Sequence, residues 1–241
     1  MLQRMVQFGL GITKRGLVLH LSKRHFMRKT GALEKLGKNE IKPEVLAREV
    51  VRNSALLPEI LKGISSPKAR VKFGCAKILS IVSENKPEIL YPEFEFFVGL
   101  LDCGNNIIKW NAMDVLANLT KVDTKNRFES IFQRYYGFLE DEVMITAGHV
   151  VDNSGAIAGA KPHLTRRITA ELLKVERIPR NQECKNILLG KAITAFGMFF
   201  DQIQNKDDVI SFVKRQLSNT RNATKAKADR FLIKRREQEV T

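Results

Sequence analysis

A chain of 241 residues, 44% of them hydrophobic, is long and apolar enough to bury one sizeable core or a row of smaller ones, which excludes disorder as the default. No apolar run approaches the roughly 20 residues of a membrane span. Three scattered cysteines, Cys75, Cys103 and Cys184, with no CxxC pair, form neither a disulfide framework nor a zinc site; they point to reduced thiols and a cytoplasmic location.

The formal net charge of +15 is unevenly placed. Residues 1–33 hold seven Lys/Arg and no acid, residues 214–241 hold nine bases against three acids, and the middle holds 25 bases against 23 acids. The basic balance therefore describes the ends of the chain more than its body.

Residues 1–26 are acid-free, basic and apolar, and Met27 follows directly. Three readings stand side by side: an upstream extension with Met27 as the working start, a cleaved transit-like presequence that would make the location organellar, or a retained basic arm that touches phosphate or lipid. From Lys42 the pattern turns helical. Pro43 suits the first turn of a helix to about Asn53, and Pro58 opens another to Ile64. After Ser65-Ser66-Pro67, a helix through about Val82 places Val71, Cys75, Ile78, Leu79 and Val82 on one face. Glu84-Asn85-Lys86-Pro87 turns the chain into a partner helix with Leu90, Phe94, Phe97, Val98 and Leu101.

The same pairing then recurs. Ile108, Ala112, Val115, Leu116 and Leu119 are answered by Phe128, Ile131, Phe132, Tyr135 and Leu139. A helix near 143–159 is answered by one starting at Pro162 with Leu164, Ile168, Leu172 and Val175. Leu188, Ala192, Ala195, Phe196 and Phe199 lead to Val209, Ile210, Val213 and Leu217. Lys77, Asp114, Asp152 and Lys191 fix the register, with spacings of 37, 38 and 39 residues. Two residues before them stand Cys75, Ala112, Val150 and Leu189; five after stand Val82, Leu119, Ile157 and Phe196. A period in this range marks units that bury their apolar faces only against neighbours. The helix near 143–159 is poor in bulk, with Gly148, Gly155, Ala156, Ala158 and Gly159. Its glycines are expected to allow close backbone approach and to make this unit the most deformable. The stretch Thr220 to Arg236 reads as a polar terminal helix, with Ala228, Phe231 and Leu232 as its few apolar positions.

On these residues the chain resembles the HEAT repeat family and its armadillo relatives over roughly residues 43–219. The resemblance implies an all-α fold, a right-handed α–α superhelix of about four to five helix pairs. It divides the chain into a basic N-terminal extension (1–41), a HEAT-like repeat domain (42–219) and a basic C-terminal capping helix (220–241). An acidic residue late in the first helix, Asp114 or Asp152, is part of the likeness. Lys77 and Lys191 depart from it and weaken the expected acidic ladder.

Enzyme motifs are absent: there is no GxSxG, Walker-type loop, HExxH or GxGxxG after a strand. His149 and Asp152 lie three apart on a helix, but with only His163 nearby they fall short of a metal ligand set. Glu93 and Glu95 point to different sides of a helix. Trp110 and Asp114 share a face and faintly resemble the aromatic cleft and carboxylate of the DNA alkylation repeat glycosylases. A chain with one tryptophan cannot build a multi-tryptophan cleft, and Phe73 in the same column gives Trp110 a packing role. No catalytic residue, cofactor, metal or small-molecule substrate is expected.

Binding is the better prospect. In the family that the chain resembles, the second helices line the concave face. Here those helices carry Glu88, Glu93 and Glu95 early, then Arg127, Arg134, Arg166, Arg167, Lys174, Lys214 and Arg215. The expectation is a groove acidic at one end and basic at the other, in a non-enzymatic scaffold or adaptor for a protein partner. Nucleic acid is the alternative partner, and it calls for continuous positive charge and stacking aromatics.

Overall fold

The computed structural model describes residues 31–239. The readings of residues 1–26 therefore lie outside the described residues. Among those described there are helices and turns but no strand. The chain divides into two compact units, the first ending at Cys75 and the second starting at Ala76.

The first unit contains α1 (Ala32–Gly37), α2 (Pro43–Arg52), α3 (Leu57–Gly63) and the start of α4 (Ala69–Asn85). Pro43 opens α2 and Pro58 lies in the first turn of α3, where a missing N–H costs no helical bond. Helix α1 lies inside the stretch that the sequence reading leaves as an extension. Its Ala32 and Leu36 are buried, it packs on α3, and the Leu33 N–H donates to Glu59 Oε1 at 3.1 Å. The six residues Ala32–Gly37 are too short a run for periodicity to register.

The second unit continues with α5 (Pro87–Leu90), α6 (Phe94–Leu100), α7 (Asn106–Leu119), α8 (Arg127–Gly137) and α9 (Met144–Ala160). It ends with α10 (Thr165–Leu173), α11 (Gln182–Phe199), α12 (Lys206–Arg215) and α13 (Asn222–Glu239). The partner helix expected over 87–101 is broken into two by a 3₁₀ turn at Tyr91–Glu93. Pro92 inside that turn has no N–H to give, so the α-helical ladder is interrupted there. Asn105 and Asn181 start the long helices α7 and α11, their side chains accepting from the N–H of Ile108 at 3.2 Å and of Cys184 at 2.9 Å.

The long helices α7, α9, α11 and α13 begin at residues 106, 144, 182 and 222. Both apolar columns are buried along them, from Ala112 and Leu119 to Leu189 and Phe196. In α12, Phe212 takes the core place expected of Ile210, and Leu217 is 37% exposed. The buried face there runs Val209, Phe212, Val213 and Gln216, a helical stripe, and the chain tightens into a 3₁₀ turn at Gln216–Ser218 that swings Leu217 out.

Hydrogen bonds between successive helix pairs tie the unit together. Asn111 Nδ2 donates to the Ala76 carbonyl at 2.9 Å and Asn118 Nδ2 to Ser83 Oγ at 3.0 Å. The Tyr136 hydroxyl donates to Ser154 Oγ at 3.2 Å, and Arg180 bonds the carbonyls of Leu139 and Asp141 at 2.6 Å. The Asp123 carboxylate, its side chain fully buried, accepts from the Tyr91 hydroxyl (2.6 Å), from the N–H groups of Arg127 (2.8 Å) and Phe128 (3.0 Å), and from the Lys161 ammonium (3.1 Å). Tyr91, Asp123 and Lys161 belong to three successive pairs.

The glycine expectation holds at one position of three. A Cβ on Gly155 would lie 2.4 Å from Met198 Sδ, whereas at Gly148 it would meet only the Lys191 stem at 3.6 Å and at Gly159 nothing. A second close approach is at Gly190, where a Cβ would lie 2.7 Å from Thr224 Oγ1. That hydroxyl is buried and donates to the Asn186 carbonyl at 2.7 Å. Gly190→Ala is expected to destabilise the unit by about 1–3 kcal/mol through overpacking, read as a lowered thermal midpoint by circular dichroism. Gly155→Ala is expected to be near neutral, because the flexible, exposed Met198 side chain yields and alanine favours the helix by about 1 kcal/mol.

Candidate binding surface

Within the second unit the two layers of helices pack differently. Helix α9 lies along α7 and α11, and α11 lies along α13, whereas the shorter helices α8, α10 and α12 barely touch one another. Where two stacked layers differ in this way, the closer-spaced layer lies inside the curve. The inner layer of this unit is therefore made by the long first helices and not by the second helices, which reverses the expectation carried by the resemblance.

One stripe of each long helix remains open to solvent, and it runs through the register column. On α7 it shows Ile107, Trp110, Asp114 and Asn118; on α9, Ile145, His149 and Asp152; on α11, Ile187, Lys191, Thr194 and Met198. Ile107, Ile145 and Met198 are 51%, 47% and 60% exposed, which is high for side chains of that size.

The polar members of the stripe form rungs between neighbours. The Trp110 indole N–H donates to Thr146 Oγ1 at 3.0 Å, and its ring stacks on His149 with centroids 5.6 Å apart and planes 16° from parallel. His149 Nδ1 lies 2.8 Å from Asp114 Oδ1, and Asn153 Nδ2 donates to the same oxygen at 2.9 Å and to the Tyr135 hydroxyl at 3.0 Å. Burial drives the Tyr135 phenol well above its usual pKa, so it stays a proton donor and passes its hydrogen to the Met113 carbonyl at 3.2 Å. Asp152 turns the other way and pairs with Lys191.

These rungs dispose of two chemical candidates. His149 and Asp152 do not converge, since each reaches into a different repeat. No group of three or more His, Cys, Asp or Glu side chains gathers at a metal distance among the described residues. Asp114 is engaged by His149 and Asn153, so Trp110 and Asp114 form a packed rung and not a nucleotide cleft. The departure at Lys191 proves useful: a lysine following Asp152 in the column turns a like-charge step into an ion pair. Cys75 is buried, which pushes its thiol up to about 12, with Glu59 adding to the shift. It is no nucleophile.

The seven basic residues predicted from sequence lie on the other layer, and most are engaged there. Arg127 pairs with Glu95 at 3.0 Å, donates to the Tyr91 carbonyl at 3.3 Å and sits 4.8 Å from the Phe94 ring centroid. Arg134 pairs with Asp102 at 2.5 Å and bonds the Val98 carbonyl at 3.2 Å. Arg167 covers the Phe132 ring at 3.9 Å, and Lys174 pairs with Glu171 at 2.7 Å. Arg215 grips both oxygens of Glu176, at 3.0 and 2.7 Å. Arg166 and Lys214 are exposed. Arg127 and Arg134 are thus each drawn into an ion pair one repeat step back, with Glu95 and Asp102.

No protein-family model and no curated protein matches the chain. Among solved structures, it is similar to a designed armadillo repeat protein, 14% identical, with a TM-score of 0.49 over 92% of this chain and 94% of that one. It is also similar to an engineered protein, 17% identical, with a TM-score of 0.41 over 84% of this chain and 96% of that one. The assignment of the fold rests on the chain's own geometry: helix pairs at a constant step, with hydrogen bonds that span one step at a time. This chain has an armadillo/HEAT-like helical repeat fold.

Proposed function

We propose that the chain is a non-enzymatic scaffold that binds a protein partner along the inner layer of its second unit. The observation that carries this reading is the open stripe through Ile107, Trp110, Ile145 and Met198. It sets exposed apolar side chains between polar groups already fixed by their neighbours, and its charges, Asp114, Asp152 and Lys191, nearly cancel. Apolar anchors with a preorganised polar frame suit a polypeptide. A nucleic-acid cradle calls for unbroken positive charge, and the second-helix layer leaves only Arg166 and Lys214 outside its ion pairs and ring contacts for that reading.

The test compares the full chain with an Ile145→Asp, Met198→Asp double variant. Ile145 and Met198 are 47% and 60% exposed, so the double variant is expected to stay folded, with a modest drop in melting temperature where Met198 leaves its contact with Gly155. Proteins retained by the immobilised wild type should be lost from the variant. Retention of the same proteins by both would reject the surface. Salt-sensitive binding to DNA or RNA that the variant keeps would favour the nucleic-acid reading.

A further inference from the structure

His149 stands in the middle of the open stripe with its side chain 28% exposed. Its ring stacks on Trp110 of α7, and Nδ1 lies 2.8 Å from Asp114 Oδ1. A carboxylate oxygen only accepts, so the hydrogen between them belongs to Nδ1. In the neutral ring Nε2 is then a bare lone pair, and among the described residues no group donates to it. Asn153 Nδ2 donates to the same Asp114 oxygen at 2.9 Å and holds the carboxylate in place. Stack and carboxylate together fix the ring, and Nε2 is its one polar atom left for a ligand.

The charged and titratable groups around the ring are few. Asp114 faces it from α7. On α9 itself, Asp152 turns away to Lys191 of α11, whose stem runs past Gly148. From α8, Tyr135 reaches the rung through Asn153 and stays a phenol. Uptake of a proton therefore leaves the Nδ1–H bond to Asp114 in place and alters only Nε2, which turns from acceptor to donor. One positive charge is added to the stripe at the same time. Imidazole is the side chain whose charge changes between about pH 5 and 8, so the outward edge of this rung can change sign while its inward contacts persist.

We propose that His149 is a pH-dependent contact of the inner surface: Nε2 accepts a hydrogen bond from an N–H group of the partner polypeptide, and protonation abolishes that contact. The proposal rests on the protein-binding reading, but its first test needs no partner. Long-range proton–nitrogen spectra of the full chain, with His149 told from the other three histidines by His149→Gln, should show the proton on Nδ1 and a bare Nε2 at about pH 7.5, and both nitrogens protonated at about pH 5. Trp110 emission should fall in the same step, because an imidazolium stacked on an indole quenches it. A proton on Nε2 at the higher pH would overturn the proposal. The second test repeats the capture experiment at both pH values. Wild-type retention should drop at least about fivefold at the lower one. His149→Phe, which keeps a ring against Trp110 but has no nitrogen, should bind at least about fivefold more weakly at both. His149→Gln, whose amide oxygen stands in for Nε2, should bind at both, and circular dichroism checks that each variant is folded. Retained proteins that ignore pH, or that bind folded His149→Phe as they bind the wild type, overturn this proposal alone. No retained protein, with Nδ1 protonated as expected, overturns the protein-binding reading and this contact with it.

Discussion

Replacing Asp123 with alanine is expected to destabilise the second unit by about 3–5 kcal/mol, the range for removing one partner of a buried ion pair. The carboxylate is inaccessible to water and gathers four donors from three successive helix pairs. Without it, the Tyr91 hydroxyl and two backbone N–H groups lose their acceptor. The Lys161 ammonium, 6% exposed, keeps only the Asp123 carbonyl and Asn126 Oδ1. Lys161→Met should cost less, because Asp123 would still accept from Tyr91, Arg127 and Phe128, and the methionine replaces the buried stem. Denaturant unfolding of both variants checks the order.

The same group sets a dependence on pH. Burial alone would raise the Asp123 pKa, but the hydrogen bonds from Tyr91, Phe128, Arg127 and Lys161 outweigh it and lower the net value. A carboxyl whose folded pKa is depressed contributes its stability above the unfolded value, about 3.9, and loses it as pH falls through the folded value. The stability gap between wild type and Asp123→Asn should therefore be full at neutral pH and narrow below about pH 4. A gap unchanged down to the acid limit would mean that the charge of Asp123 contributes nothing.

Phe132→Ala is expected to cost about 3–5 kcal/mol, the range for emptying a fully buried aromatic site. Phe132 is 0% exposed. One face of its ring stacks on Tyr136, with centroids 4.5 Å apart, and the Arg167 guanidinium of the next pair lies 3.9 Å from its centroid. Tyr136 in turn reaches Ser154 on α9, so the cavity would open where two repeats meet. Arg167→Met separates the contributions: it keeps the ring packed and removes the cation, at a cost of about 0.5–1 kcal/mol. Thermal or denaturant unfolding of the two variants distinguishes a packing site from a surface contact, and equal losses would contradict the assignment.

The helices were legible in the sequence wherever an apolar face spanned several turns, as in the columns through Ala112 and Leu119 or Phe128 and Tyr135. The six residues of α1 were not, since Ala32 and Leu36 make a single turn of contact. Which layer lies inside was also hidden: apolar periodicity shows which side of a helix is buried, but not how closely helices of the same layer approach. That depends on small residues at particular contacts, such as Gly155 beneath Met198 and Gly190 beneath Thr224. Six of the seven basic candidates lie on second helices, with Lys174 in the 3₁₀ turn that follows its helix, and their cross-repeat partners do not show when each is read within its own helix. A signal for their partners was present. Opposite charges one repeat apart, Asp123 and Lys161, Asp152 and Lys191, Glu176 and Arg215, Glu183 and Arg221, stand 38 or 39 residues from each other. Searching for complementary charge at the repeat distance would have found the pairs and the buried node at Asp123.

The contact that carries most weight is the one between a long helix and its successor. The chain has a single tryptophan, so the Trp110 indole N–H gives one unambiguous proton resonance. In a nuclear Overhauser spectrum of the full chain it should show cross-peaks to the side chain of Thr146 and to the ring of His149, 36 and 39 residues further along the chain. Cross-peaks confined to α7 and its second-helix partners would contradict the stacking on which the repeat fold and the inner binding surface depend.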